Sequence, residues 1–151
     1  MKAIRLPANP EIKAILPGAS FLDCRQLTLP GEIDAPTAAR LVLSEPPAWV
    51  DQLMSLRNRL TALAGLKPAD IPSFPKIEDS PRRQVMGMDD RHLDFRIVVL
   101  TEPLITQETR LTIATVVRVN NLLGRLYLAV VTPFHHLIVA RMLALAAKRM
   151  A

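Results

Sequence analysis

Cysteine and glycine are the scarce residues of this chain: one cysteine and five glycines among 151 residues. Cys24 has no partner within the chain, so no internal disulfide staples the fold, and a reducing, cytoplasmic setting is expected. There is no glycine-rich phosphate loop. The sequence also lacks a C-x-x-C pair, an H-E-x-x-H pair and a G-x-S-x-G elbow. These absences argue against nucleotide hydrolysis, thiol redox, zinc-peptidase and serine-hydrolase chemistry carried by a local motif. No cofactor, no metal and no catalytic set is expected. Aromatic residues make up only 4% of the chain, so its core must be aliphatic.

Acidic charge also runs out. From Arg110 to the end there are six Lys/Arg and no Asp or Glu, whereas the preceding stretch holds thirteen basic and fourteen acidic residues. A basic end can face nucleic acid or anionic lipid. These six charges stand singly in apolar sequence, without the clustering and interleaved aromatics of a nucleic-acid footprint, so nucleic-acid binding is not expected. The N-terminus, MKAIRLPANPEIKAILPG, is broken by prolines and has no continuous apolar secretory segment. Near the C-terminus the longest run without Lys, Arg, Asp or Glu is Leu126 to Ala140, fifteen residues that include Pro133, His135 and His136. A span needs about twenty predominantly apolar residues. No integral membrane span is therefore expected, and the segment reads as a core helix.

What is present describes one α+β domain. Half the residues are hydrophobic and 22% are charged, a globular balance on a chain long enough to bury a core. Residues 1–20, with Pro7, Pro10 and Pro17, read as an irregular N-terminal arm, and residues 21–151 as a single domain. Phe21 to Leu29 reads as a first strand, stopped by Pro30-Gly31. Asp34 is placed to cap a helix from Ala35 to Ser44, with Pro36 tolerated in the first turn. Pro46-Pro47 starts a second helix, whose Trp49, Leu53, Leu56, Leu60 and Leu63 form one apolar stripe read as core, with Gly65 as terminator. Leu66 to Pro81 is a proline-rich connection in which Phe74 to Ile77 can pair at a sheet edge.

The sheet proper follows. Gln84 to Met88 is a short strand. His92 to Leu100 alternates, with Leu93, Phe95, Ile97 and Val99 opposite His92, Asp94 and Arg96. Thr109 to Val119 repeats the pattern, with Leu111, Ile113, Thr115, Val117 and Val119 on one face. Two such runs joined through Glu102-Pro103 predict an antiparallel hairpin. One apolar and one mixed face predict a sheet covered on a single side, with the long helix from Leu122 to Met150 as the cover. Pro133 is expected to kink or restart that helix.

Two groups invite a chemical reading. His92, Asp94 and Arg96 share a strand face, so His92 and Asp94 could act as a base and its orienting carboxylate. Alternation makes a solvated outer row the preferred reading. His135 and His136 suggest a metal, but adjacent helical residues point about 100° apart and do not chelate as an i, i+4 pair does. Arg141 reads as a snorkelling side chain, with contact to a ligand carboxylate as the alternative.

Three segments carry a resemblance: PPAWVDQLMSLRNRL at 46–60, DDRHLDFRIVVL at 89–100 and TVVRVNNLLGRLYLAVVTPFHHLIVARML at 115–143, above all G-R-L-Y-L-A-V-V-x-P-F-H from Gly124. From about Phe21 onward the chain resembles a bacterial family of domains of unknown function, numbered 2867 in its series. That family is similar to the START-like, SRPBCC helix-grip superfamily of START domains, plant allergen-type carriers and polyketide cyclases. Related domains also occur appended to atypical short-chain dehydrogenases. The resemblance implies an antiparallel sheet wrapped around a long C-terminal helix, with two short helices after the first strand. It carries no catalytic set onto any position.

The expected function is a non-catalytic binding module for a small hydrophobic or amphipathic ligand in an internal pocket. Its lining candidates are Phe95, Ile97, Ile113, Thr115, Val117, Tyr127, Val130 and Phe134, with Tyr127 and Thr115 as polar anchors. The alternatives are a cyclase- or hydratase-type enzyme using His92 and Asp94, and a peripheral membrane-surface protein using the basic, apolar C-terminus. A homodimer is left open.

Overall fold

The computed structural model describes residues 3–44, 46–63, 65 and 74–150. In chain order its elements are β1 (Ile4–Leu6), α1 (Pro10–Ile15), β2 (Phe21–Pro30), α2 (Ala35–Leu43), α3 (Ala48–Ala62), β3 (Lys76–Asp79), β4 (Arg83–Asp89), β5 (Leu93–Pro103), β6 (Glu108–Val119) and α4 (Leu122–Met150). The expected strands, the Asp34-capped helix and the long final helix are present with ends shifted by at most three residues. Asp34 Oδ1 accepts the Thr37 amide at 2.8 Å. The connection at 66–73 lies outside the described residues, while its end supplies β3 at the sheet edge.

The six strands form one antiparallel sheet in the order β1-β2-β6-β5-β4-β3. Period-two patterning fixes its faces. Leu27, Leu29, Met86, Val99, Leu111 and Ile113 point to one face, here called inner. Small residues of α2 (Ala35, Ala38, Ala39) and the C-terminal third of α4 (Met142, Leu143, Ala146, Ala147) close over them. Alanine at these contacts lets helix and sheet backbones approach closely.

The other face is covered too, contrary to the single-sided expectation. Cys24, Val85, Val98, Ala114 and Val116 pack with Ile12 and Leu16. The segment expected to be an irregular arm supplies that cover: β1 pairs with β2, and α1 places Ile12 at 1% exposure. Its prolines misled because Pro10 occupies the first turn of α1, where a missing N–H costs nothing, and Asn9 caps the helix by accepting the Ile12 amide at 2.9 Å. The mixed face of the hairpin was also more apolar than its charges suggested.

The stripe on α3 is a second correction. Leu56, Leu60 and Leu63 are exposed, whereas Val50 and Thr61 are the helix's buried residues among those described. What ties α3 to α4 is polar: Arg57 Nε donates to the Tyr127 hydroxyl at 2.7 Å, with its guanidinium 5.2 Å from the ring centre.

α4 runs unbroken through Pro133. It is fastened at both ends and open along its outer side. At its start Gly124 is buried against the His92 carbonyl, where an added Cβ would lie 2.0 Å from the oxygen. Near its end Leu143 and Ala146 enter the core. Along its outer side Leu122, Leu126, Val130, Phe134 and Leu137 face solvent.

Candidate functional site

Alternation along β2 puts Phe21, Asp23 and Arg25 on the same side as Leu27 and Leu29, the inner face. Register then sets Asp23 beside Thr115 and Arg25 beside Ile113. Two charged side chains thus interrupt an otherwise apolar row. α4 crosses above them and lowers His135 and His136 onto the pair.

The four side chains form one network. The Asp23 carboxylate is 2% exposed. Its Oδ2 accepts from Arg25 Nε at 3.1 Å and from His135 Nε2 at 3.0 Å. A guanidinium only donates, so the 3.1 Å contact from Arg25 to His136 Nδ1 makes that nitrogen an acceptor and places the ring proton on Nε2. Arg5 Nε approaches Asp23 Oδ1 at 3.4 Å, outside hydrogen-bond geometry. Oδ1 is therefore a buried oxygen with no hydrogen-bond partner among the described residues. Phe21 packs edge-on against the His135 ring, with centroids 5.4 Å apart.

Burial drives the Asp23 carboxyl upward, but the hydrogen bond from His135 and the charge of Arg25 outweigh it and hold the group at about 2. Burial lowers His136, and the positive charges of Arg5, His135 and Arg25 add to that effect against the pull of Asp23. Burial and the neighbouring Asp23 raise the Cys24 thiol, so it is a poor nucleophile.

A second polar knot joins the β4–β5 turn to the start of α4. Asp94 Oδ2 accepts Arg118 at 2.6 Å, and its Oδ1 accepts the Asp90 amide and Asn120 Nδ2 at 3.2 Å each. Asn121 Oδ1 accepts the Gly124 amide at 2.9 Å and so caps α4. The amide nitrogen of Asn121 is then the donor to His92 Nδ1 at 2.9 Å. The Asn120 amide closes the knot on the His92 carbonyl. His92 and Asp94 are 6% and 5% exposed, so the expected solvated outer row is overturned at these two residues. The DDRHLDF and NNLLGR segments that carry the family resemblance meet here, and what they build is a latch between backbone segments.

The eight lining candidates divide. Phe95, Ile97, Ile113, Thr115 and Val117 lie on the inner sheet face, in register rows Asp23–Thr115–Ile97 and Phe21–Val117–Phe95. Phe95 meets Phe74 edge-on at 5.1 Å. Tyr127 is engaged by Arg57. Val130 is 67% exposed and Phe134 49%, on the side of α4 turned away from Leu143 and His136. Phe134 was expected to be buried against the sheet; the histidines take the inward positions because Asp23 and Arg25 offer them partners. Two open hollows, about 330 Å³ beside Asp51, Ser55 and Arg59 and about 270 Å³ beside Arg40, Leu41 and Arg149, contain none of the eight. Asp23 and Arg25 escaped the sequence reading. The available signal was two charges at inward positions of a strand whose other inward residues are apolar.

By fold this is an α+β protein, a six-stranded antiparallel sheet with a long C-terminal helix. Residues 15–142 match the family described as "Protein of unknown function (DUF2867)", and the chain belongs to that family. No curated protein and no solved structure matches it.

Proposed function

We propose that this chain is a binding module of the helix-grip type that takes a small amphipathic ligand between the inner sheet face and α4. The order of elements supports the fold half of this reading. β2, the first long strand, pairs with the last strand, β3 to β6 run as a meander, α2 and α3 fall between β2 and β3, and α4 follows the sheet.

One observation carries the functional half: four ionisable side chains converge at an apolar sheet–helix junction. Small-molecule sites combine an apolar wall with a few convergent polar groups. Here the wall is Phe95, Ile97, Thr115 and Val117, and the polar end is Asp23, Arg25, His135 and His136, with Asp23 in the same register row as Thr115 and Ile97. Arg5 and Arg25 outnumber the single carboxylate, which favours a ligand with an anionic head. Native mass spectrometry of protein purified without detergent tests the reading. A small co-purified molecule is expected, with its occupancy reduced in Arg25→Gln and Phe95→Ala. A bare mass, with no thermal shift across carboxylic acids of increasing chain length, would overturn it.

A second reading rests on a separate observation. The exposed Leu122, Leu126, Val130, Phe134 and Leu137 continue, by helical period, into exposed Arg141 and Lys148. α4 is long and apolar enough to cross a membrane by length and composition, and only 11% of its most apolar stretch is buried. This favours peripheral contact with an anionic membrane surface. Salt-sensitive co-sedimentation with anionic vesicles, weakened by Val130→Glu, is the expected result. Its absence at low salt sinks this reading.

A further inference from the structure

We propose that Asp23, His135 and His136 form a site for one divalent transition-metal cation of the zinc–cobalt class, at the junction of β2 and α4. The proposal goes beyond the ligand reading and does not depend on it, because it concerns these three side chains and an ion alone.

Geometry gives the first argument. One donor atom from each residue lies within 4.8 Å of the other two. A tetrahedral ion with bonds of about 2.0–2.1 Å holds its ligand atoms about 3.3 Å apart. Asp23 Oδ2 lies 3.0 Å from His135 Nε2 and Oδ1 lies 3.9 Å from His136 Nδ1, separations on either side of that spacing. Adjacent helical residues diverge by about 100°. These two rings nevertheless reach one carboxylate because they present different nitrogens, the far Nε2 of His135 and the near Nδ1 of His136.

The second argument is the unsatisfied oxygen. Asp23 Oδ1 is buried without a hydrogen-bond partner, and the nitrogen of His136 that faces it is itself an acceptor. Two acceptors 3.9 Å apart, one of them buried and unpaired and the other held only by Arg25, leave a place for an electron-pair acceptor between them. A carboxylate with two imidazoles suits zinc, cobalt, nickel or iron better than calcium or magnesium, which prefer all-oxygen shells. Three protein ligands leave a coordination position open.

Arg25 sets how tightly the ion is held. Its Nε fixes Asp23 Oδ2, as outer-shell partners fix ligating carboxylates. Its other contact, to His136 Nδ1, must be released when an ion takes that nitrogen. The proton on His135 Nε2 must likewise move to Nδ1. Arg25 and Arg5 also repel a further positive charge, so the affinity is expected to fall short of a structural zinc site, and removing the Arg25 charge is expected to raise it.

Untagged, chelator-treated protein is titrated with cobalt(II) and with zinc(II), following visible absorption and metal content after dialysis. One equivalent is expected, with the ligand-field bands of low-coordinate cobalt. His135→Ala and His136→Ala should each weaken binding by about tenfold or more, and Arg25→Gln should strengthen it several-fold. His136 is the less buried of the two histidines, so that variant keeps the test alive if His135→Ala does not fold. Ring-nitrogen NMR should show zinc shifting His135 Nε2 and His136 Nδ1 and leaving His92 unmoved. Binding below a tenth of an equivalent, or binding undiminished in both histidine variants, overturns the site.

Discussion

The molecule holds two clusters in which a buried aspartate, an arginine and a histidine lie together, and they are built to different ends. Around Asp94 both carboxylate oxygens are occupied, by Arg118 on one side and by the Asp90 amide and Asn120 on the other. Most of its partners are backbone amides or side chains that also hold backbone. Around Asp23 the partners are side chains from β1, β2 and α4, and one oxygen is left over. Satisfied buried networks rigidify a fold, whereas an unsatisfied buried group marks a strain reservoir, a functional site or a missing partner. The same three residue types thus give a latch in one place and a candidate site in the other.

The largest expected effect comes from removing each aspartate. Asp23→Ala leaves Arg25 buried without its counter-charge and should cost roughly 3–5 kcal/mol in urea unfolding. Asp94→Ala should cost about 1–3 kcal/mol, because Arg118 is partly exposed and can return to water. Equal losses would erase the distinction. Replacing Asp23 and Arg25 together with apolar residues of similar size should recover most of the stability while abolishing any cobalt binding.

Gly124→Ala comes next. The new methyl would meet the His92 carbonyl, a backbone atom that cannot swing aside. About 3 kcal/mol, the upper end of the usual overpacking cost, is expected in thermal or urea unfolding. A neutral substitution would show that the latch does not hold α4.

Acid should cost the Asp23 cluster on the order of 2 kcal/mol. Asp23 sits at about 2 in the folded chain against 3.8 for its ordinary value. Its contribution is complete above about pH 4 and is lost as the pH falls toward 2, on the order of 2 kcal/mol for a shift of this size. In chelator-treated protein, wild type should lose stability over that window relative to Asp23→Asn. Parallel acid profiles would contradict the assignment of the charge to Asp23.

Phe134→Ala is the smallest effect. An exposed side chain outside both clusters should change stability by no more than about 0.5 kcal/mol. A loss of 3 kcal/mol or more, the usual cost of deleting a core aromatic, would return Phe134 to the interior.

The strands were legible because Leu93 to Val99 and Leu111 to Val119 alternate cleanly, and α2 was legible because Asp34 and Pro36 announce its first turn. The inward face of α4 was not. Apolar residues surround that helix, so hydrophobic periodicity cannot say which side meets the sheet, and the answer came from two histidines whose partners lie more than a hundred positions away. α3 misled for a related reason, since a stripe of leucines records only that a helix can pack. His92 and Asp94 were visible as a pair, but their burial depends on Asn120 and Asn121, which alternation does not reach. Asp23 and Arg25 looked like ordinary strand charges until register put them under α4.

α4 behaves as a beam clamped near Gly124 and again at Met142 to Ala147, with His135 and His136 as a polar prop between them on Asp23 and Arg25. Pro133 falls just before that prop and, lacking an N–H, leaves the Ala129 carbonyl without its helical donor. The beam is weakest where Phe134 faces outward and His135 inward. A load on the outer stripe would bear on the histidines that rest on Asp23, and an ion held beneath would stiffen them. Were both faces occupied, reciprocity would require each occupant to alter the other's affinity by the same factor.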